Sequence, residues 1–151
     1  MKNRKRILIL DDEESIIQAL GKVLRNQGYQ VIACLHLWEA VNRLEDEAVD
    51  LAISDLKMPE MTGIEFLIQL EEKYPNAARI LLIDPGDSES AVTAINRGKV
   101  DWYLEKPWDE EIVKMTIATA LKYKRILMEN KKLHHLLRKQ DGDVETLEGI
   151  T

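Results

Sequence analysis

Five short aliphatic runs, Arg6–Leu10, Gln30–Cys34, Leu51–Ser54, Arg79–Ile83 and Trp102–Glu105, recur at regular intervals along the chain. Each is too short for a helix, and most are apolar on consecutive positions. That pattern predicts strands of a parallel sheet covered on both faces. Segments with helical spacing lie between them. Ile16, Leu20, Val23 and Leu24 form one stripe, closed by Gly28. Ile64, Leu67, Ile68 and Leu70 form a second, ended before Pro75, and Ala91, Val92 and Ile95 a third, with Gly98 just beyond. Strand and helix alternate five times within about 120 residues, a length typical of one domain. The expected fold is therefore an open, doubly wound α/β sheet with right-handed crossovers. Ligands of such sheets bind outside the carboxyl ends of the strands, where strand order reverses.

Several of the runs end in a charged residue. "ILILDDEES" places Asp11 and Asp12 directly after the first run, with Glu13 and Glu14 opening a helix. Helix capping accounts for Glu13, Glu14 and Ser15, because acids favour the positive end of a helix. It accounts less well for two adjacent acids at the strand tip. "ISDLKMP" ends the third run at Asp55, and "YLEKPW" ends the fifth at Lys106, followed by Pro107. Taken singly, each has an ordinary reading as a turn or surface residue. Together they predict a site. Carboxylates gathered at neutral pH repel one another and either take up protons or recruit a cation. Hard oxygen ligands suit Mg²⁺, which keeps several waters and bridges carboxylates to phosphate. A lysine at the same edge supplies a point charge for phosphoryl oxygens, and an Asp carboxylate is a competent nucleophile toward phosphorus.

These pieces, in this order, resemble the receiver domain of two-component response regulators. The resemblance covers residues 5–122 and rests on "ILILDDEES", "LAISDLKMPEMTGIEFL" and "YLEKPW". It implies a CheY-like, flavodoxin-like (βα)5 doubly wound parallel sheet of order 2-1-3-4-5, with the last helix extended. It also implies roles: Asp55 as phosphoacceptor, Asp12 as a direct Mg²⁺ ligand beside Asp55, Asp11 acting through a metal-bound water, the Lys57 backbone carbonyl as a further ligand, and Lys106 pairing with the phosphoryl group. The family's bond between that lysine and the following proline is cis, a minority state of X-Pro bonds. The implied partners are a sensor histidine kinase or phosphotransfer protein. The implied chemistry is limited to autophosphotransfer and slow self-dephosphorylation, so the chain is not an enzyme in the usual sense.

The family pattern breaks at "RILLIDPGD". It expects a Thr or Ser at the end of the fourth strand, then a small residue, and this chain has Ile83 and Asp84. Ile has no hydroxyl to donate, and one hydrogen bond to a charged group is worth about 1.5–3 kcal/mol. Asp84 adds a carboxylate at the pocket rim that either repels a phosphoryl group or strengthens metal binding. The switch aromatic is retained as Tyr103. An atypical switch is therefore expected. The alternative is a pseudo-receiver, a dimerisation and interaction scaffold independent of phosphate. A phosphatase or nucleotide-binding enzyme on a similar sheet is disfavoured, since no Gly-rich phosphate loop follows the first run.

Charge divides the chain. Residues 1–120 carry a balance of −8, residues 121–140 a balance of +6, and residues 141–151 add four acids. Asp109 is placed to cap a helix from about Glu110 whose apolar pattern outlasts the receiver. Tyr123, Ile126, Asn130, Leu133 and Leu137 alternate by three and four, a heptad seam with Asn130 at an a-type position. Two readings stand: a helix resting its apolar side on its own domain, and a homodimerising coiled-coil stalk over 123–140. The second leads to a flexible tail or linker at 141–151 and an output domain absent from this chain. Nucleic-acid binding is disfavoured because the basic residues surround the helix without interleaved aromatics. His134 and His135 are adjacent and make a poor metal pair, while Trp38, Trp102 and Trp108 are expected to pack. One cysteine, Cys34, excludes an internal disulfide, and no apolar stretch approaches the ~20 residues of a membrane span. A cytoplasmic location is the expectation.

Overall fold

The computed structural model describes residues 4–147, with side chains through residue 139. Strands β1 (Arg6–Leu10), β2 (Gln30–Cys34), β3 (Leu51–Asp55), β4 (Ala78–Ile83) and β5 (Trp102–Glu105) alternate with five helices. These are α1 (Glu14–Asn26), α2 (Leu37–Asp46), α3 (Gly63–Lys73), α4 (Ser88–Asn96) and α5 (Glu110–Leu147). All strand pairs are parallel, in the order β2-β1-β3-β4-β5. This is the flavodoxin-like arrangement, and its switch point lies between β1 and β3.

Consecutive strand side chains point to opposite faces, so each apolar run feeds two cores. Ile7, Ile9, Ile53, Ile80 and Leu82 meet Leu20 and Leu24 of α1 and Val113 and Ile117 of α5. Leu8, Leu10, Leu81 and Ile83 meet Leu44 of α2, Phe66 and Leu67 of α3 and Ala91 and Ala94 of α4. β1 and β3 are buried on both sides from end to end, apart from Arg6. That double burial is why their sequences run apolar without alternation.

The helix stripes shift in detail. Ile17 is more buried than Ile16, Phe66 enters the core beside Leu67, and Ala94 takes the inward place while Val92 faces solvent. Trp38 and Trp102 are more than half exposed rather than packed, and only Trp108 lies against the core. The α5 helix begins as expected, with Asp109 Oδ1 accepting from Glu111 N at 2.8 Å. It then continues to Leu147, through residues 141–147 where a tail or linker was expected, because no proline interrupts it. Residues 148–151 of that expected tail lie outside the described residues. The last core residue of α5 is Ala120, and Leu133, Leu136 and Leu137 are all exposed. Leu121 and Met128 still lie against the domain, half-buried, and beyond them the helix does not rest its apolar side chains on it. No helix among the described residues is long and apolar enough to cross a membrane.

Candidate functional site

The carboxyl ends of β1, β3 and β5 bring the charged tips together. Asp11 follows β1 and is fully buried, Asp55 ends β3 and is 6% exposed, and the neighbouring Asp12 is exposed. One carboxylate oxygen from each of the three lies within 4.8 Å of the others. Lys106 reaches them from beyond β5 because its backbone N donates to Ile83 O at 2.8 Å, prolonging the β4–β5 ladder by one residue. The Lys106–Pro107 bond is cis. Lys106 Nζ stands 3.1 Å from Asp11 Oδ2, 3.3 Å from Asp55 Oδ1 and 3.9 Å from Asp84 Oδ1.

One lysine does not neutralise this cluster. Burial, joined by the Asp11 charge, pushes the Asp55 carboxyl up to about 6, against an opposing pull from Lys106. Burial acts to lower Lys106, but Asp11 and Asp55 more than offset it, so the ammonium is held charged above its ordinary range. Asp11 Oδ1 accepts from Glu13 N at 2.9 Å, while its buried Oδ2 has no well-directed hydrogen bond. A buried carboxylate oxygen whose partner is a lysine shared with a second carboxylate, in a set of three hard donors, fits a small divalent cation.

The loop after β3 is shaped to leave room for this arrangement. Lys57 and Thr62 form an antiparallel bridge, Gly63 N donates to Leu56 O at 2.8 Å, and Thr62 caps α3 by accepting from Glu65 N. A Cβ on Gly63 would stand 2.2 Å from Asp55 O. Glycine is thus required by the close approach of the α3 start to the residue carrying the site's central carboxylate.

Ile83 is fully buried in the α2–α4 side core and has no polar atom to offer the site. Asp84 is about half exposed. It opens a tight turn in which Asp87 N donates back to Asp84 O at 3.1 Å, with Pro85 second and Gly86 third at φ 98°. That is the pattern of a type II turn, which needs a positive φ at its third residue. Asp87 was missed by sequence reasoning: its Oδ2 lies 3.5 Å from Lys57 Nζ, linking the loops after β3 and β4. The only hint was its place before a helical stripe. Tyr103, half-buried, stacks on Trp102 with ring centroids 5.9 Å apart. Tyr123, Ile126, Asn130, Leu133 and Leu137 are all exposed along α5, far down the chain from the carboxylate cluster.

A flavodoxin-like sheet with three carboxylates and a lysine at its switch point is the architecture of a receiver. The chain belongs to that family: the family model described as response regulator receiver domain matches residues 7–118. It is 34% identical over 115 residues to the transcriptional regulatory protein GlrR of Escherichia coli K12, covering 76% of this chain and 26% of that protein. Among solved structures, it resembles the signal receiver domain of an HD domain-containing protein from Pseudomonas fluorescens Pf-5. That match has 32% identity and a TM-score of 0.74, over 82% of this chain and 98% of the other. A response regulator receiver domain protein from Clostridium thermocellum matches with 30% identity and a TM-score of 0.74, over the same shares. The chain spans about a quarter of the length of the curated relatives it matches. Receiver domains are signalling modules rather than true enzymes. They typically bind Mg²⁺ and work with histidine kinases or phosphotransfer proteins.

Proposed function

We propose that this receiver accepts a phosphoryl group on Asp55 from a phosphohistidine of a sensor kinase or phosphotransfer protein in the cytoplasm. The observation that carries the reading is Lys106 Nζ between Asp11 and Asp55, at 3.1 and 3.3 Å. An Asp55 oxygen attacks phosphorus as the P–N bond to the donor breaks, and Lys106 moves its charge from the carboxylate to the incoming phosphoryl oxygens. Asp11, Asp12, Asp55 and the Lys57 carbonyl would hold Mg²⁺, which supplies further positive charge for those oxygens. Hydrolysis of the aspartyl phosphate resets the site, and no other turnover is expected.

The switch in this reading is atypical. Ile83 contributes no hydroxyl, so the phosphoryl group lacks one donor that would draw the β4–α4 loop inward, and Tyr103 is the remaining relay residue. The second reading, a phosphate-independent scaffold, is favoured by the Ile83–Asp84 pair. Incubation with Mg²⁺ and a small phosphodonor, followed by intact mass, separates the two. A stable phosphoryl adduct lost in Asp55→Asn supports the first, and no adduct supports the second.

The output half of the reading runs along α5. Residues 5–122 form the receiver, 123–140 a dimerising stalk, and 141–151 the approach to an output domain. Support comes from exposure: Ile112, Tyr123, Ile126, Leu133 and Leu137 stay uncovered on one seam, which begins beside Trp102 and runs off the domain. An apolar stripe of that length without a core to cover suits a second copy, with Asn130 setting register.

A further inference from the structure

We infer that Asp84 sets the donor specificity of this pocket, disfavouring phosphodonors whose leaving group departs as an anion against those whose leaving group is cationic in the donor and departs neutral. The inference rests on the reading of Asp55 as phosphoacceptor. Its basis is the position of a fourth carboxylate at the mouth of a site that already holds three.

Asp84 is not on a loose loop. Its carbonyl accepts from Asp87 N at 3.1 Å, Pro85 fixes one φ of the turn, and Gly86 supplies the positive φ that the turn requires. Asp87 at the far end is held by Lys57 at 3.5 Å, and Ile83 before the turn is locked by Lys106 N on its carbonyl. The Asp84 carboxylate thus stays at the rim, about half exposed and 3.9 Å from Lys106 Nζ. That distance is too long for a hydrogen bond and short enough for a strong charge effect. Asp11 and Asp55 already hold Lys106 from inside, so Asp84 remains an incompletely neutralised charge facing what enters.

Displacement at phosphorus runs in line, so with Asp55 at the floor the leaving group points outward, toward the mouth that Asp84 borders. With acetyl phosphate, the Asp55 O–P bond forms, the P–O bond breaks, and acetate leaves with the electron pair. With phosphoramidate, the same O–P bond forms, the P–N bond breaks, and ammonia leaves with the electron pair and its three hydrogens. The first donor meets Asp84 as a dianion with no compensating charge. The second presents an ammonium-like nitrogen to the same carboxylate, as a protonated phosphohistidine would. One unit of charge about 6 Å from a half-hydrated carboxylate changes a rate roughly tenfold.

The test compares wild type, Asp84→Asn and Asp84→Glu for the rate of adduct formation by intact mass. Each is run with acetyl phosphate and with phosphoramidate, at Mg²⁺ saturating for each variant, with Asp55→Asn as blank. The expected result is that Asp84→Asn raises the acetyl phosphate rate roughly tenfold and the phosphoramidate rate less than about twofold. Asp84→Glu should stay near wild type, and the gap between donors should close at about 0.5 M salt. An equal change with both donors, or none, overturns the assignment of Asp84 while leaving Asp55 as acceptor. Absence of adduct from either donor in every variant overturns the acceptor reading and this inference with it.

Discussion

Lys106 Nζ lies 3.1 Å from Asp11 Oδ2, an oxygen on a side chain with no exposed surface. The same ammonium is shared with Asp55, so one cation holds two carboxylates that burial alone would force apart or protonate. Removing it leaves buried negative charge uncompensated. Lys106→Met should therefore destabilise the domain by about 2–4 kcal/mol in chelator, measured by urea unfolding. Millimolar Mg²⁺ should restore a large part of the loss. A variant as stable as wild type without Mg²⁺ would show that the carboxylates are neutralised some other way.

Asp55 supplies a pH signature. Its carboxyl lies at about 6 in the folded protein and near 3.8 when unfolded. Folding stability contributed by the protonated form is complete below about pH 4 and is lost as pH rises through 6. Asp55→Asn removes that loss, so it should be more stable than wild type at pH 7.5 by on the order of 2 kcal/mol in chelator. The difference should vanish near pH 4. A gain that does not depend on pH would sink the electrostatic explanation.

Gly63 makes a steric prediction. An alanine Cβ would meet Asp55 O at 2.2 Å, and backbone cannot rotate away as a side-chain end can. Gly63→Ala should cost roughly 3 kcal/mol and slow phosphoryl transfer by tilting Asp55. Chemical denaturation and the mass assay read the two effects separately. An unchanged unfolding midpoint would mean the α3 start has slack.

The stalk is tested by Leu133→Lys. Light scattering on the eluting peak at tens of micromolar should give a dimer for wild type and a monomer for the variant. Its receiver should keep its unfolding midpoint, since Leu133 contacts no core. A wild-type monomer at that concentration excludes the seam.

Legibility followed the strength of the local pattern. The strands could be read because double burial writes a run of consecutive apolar residues, and their ends differ by one residue at Asp55 and Ala78. The cluster of Asp11, Asp55 and Lys106 could be read because three charged strand ends of one sheet edge make a pattern together, although each alone reads as a turn or surface residue. Helix α2 could not be placed from a stripe. It buries only Ala40 and Leu44 and is opened by Glu39, whose Oε1 accepts from both Leu35 N and His36 N. Pairs across the fold left no spacing to recognise. Arg79, nearly buried at the base of β4, meets Glu71 at 2.9 Å and Asp101 at 3.6 Å. Asp101 also lies 3.6 Å from Lys124 on α5. None of these four residues stands out by type or period.

That last contact has a mechanical consequence. Ala120 is the last fully buried residue of α5, Lys124 pairs with Asp101, Met128 still lies half-buried beside Val49 and Tyr74, and the helix continues unbroken to Leu147. At 1.5 Å per residue the part beyond Met128 is a lever about 30 Å long. Any event at the strand tips that tilts the fulcrum by about 10° swings its far end by roughly 5 Å, so a small rearrangement near Lys106 is magnified without any loop having to travel far.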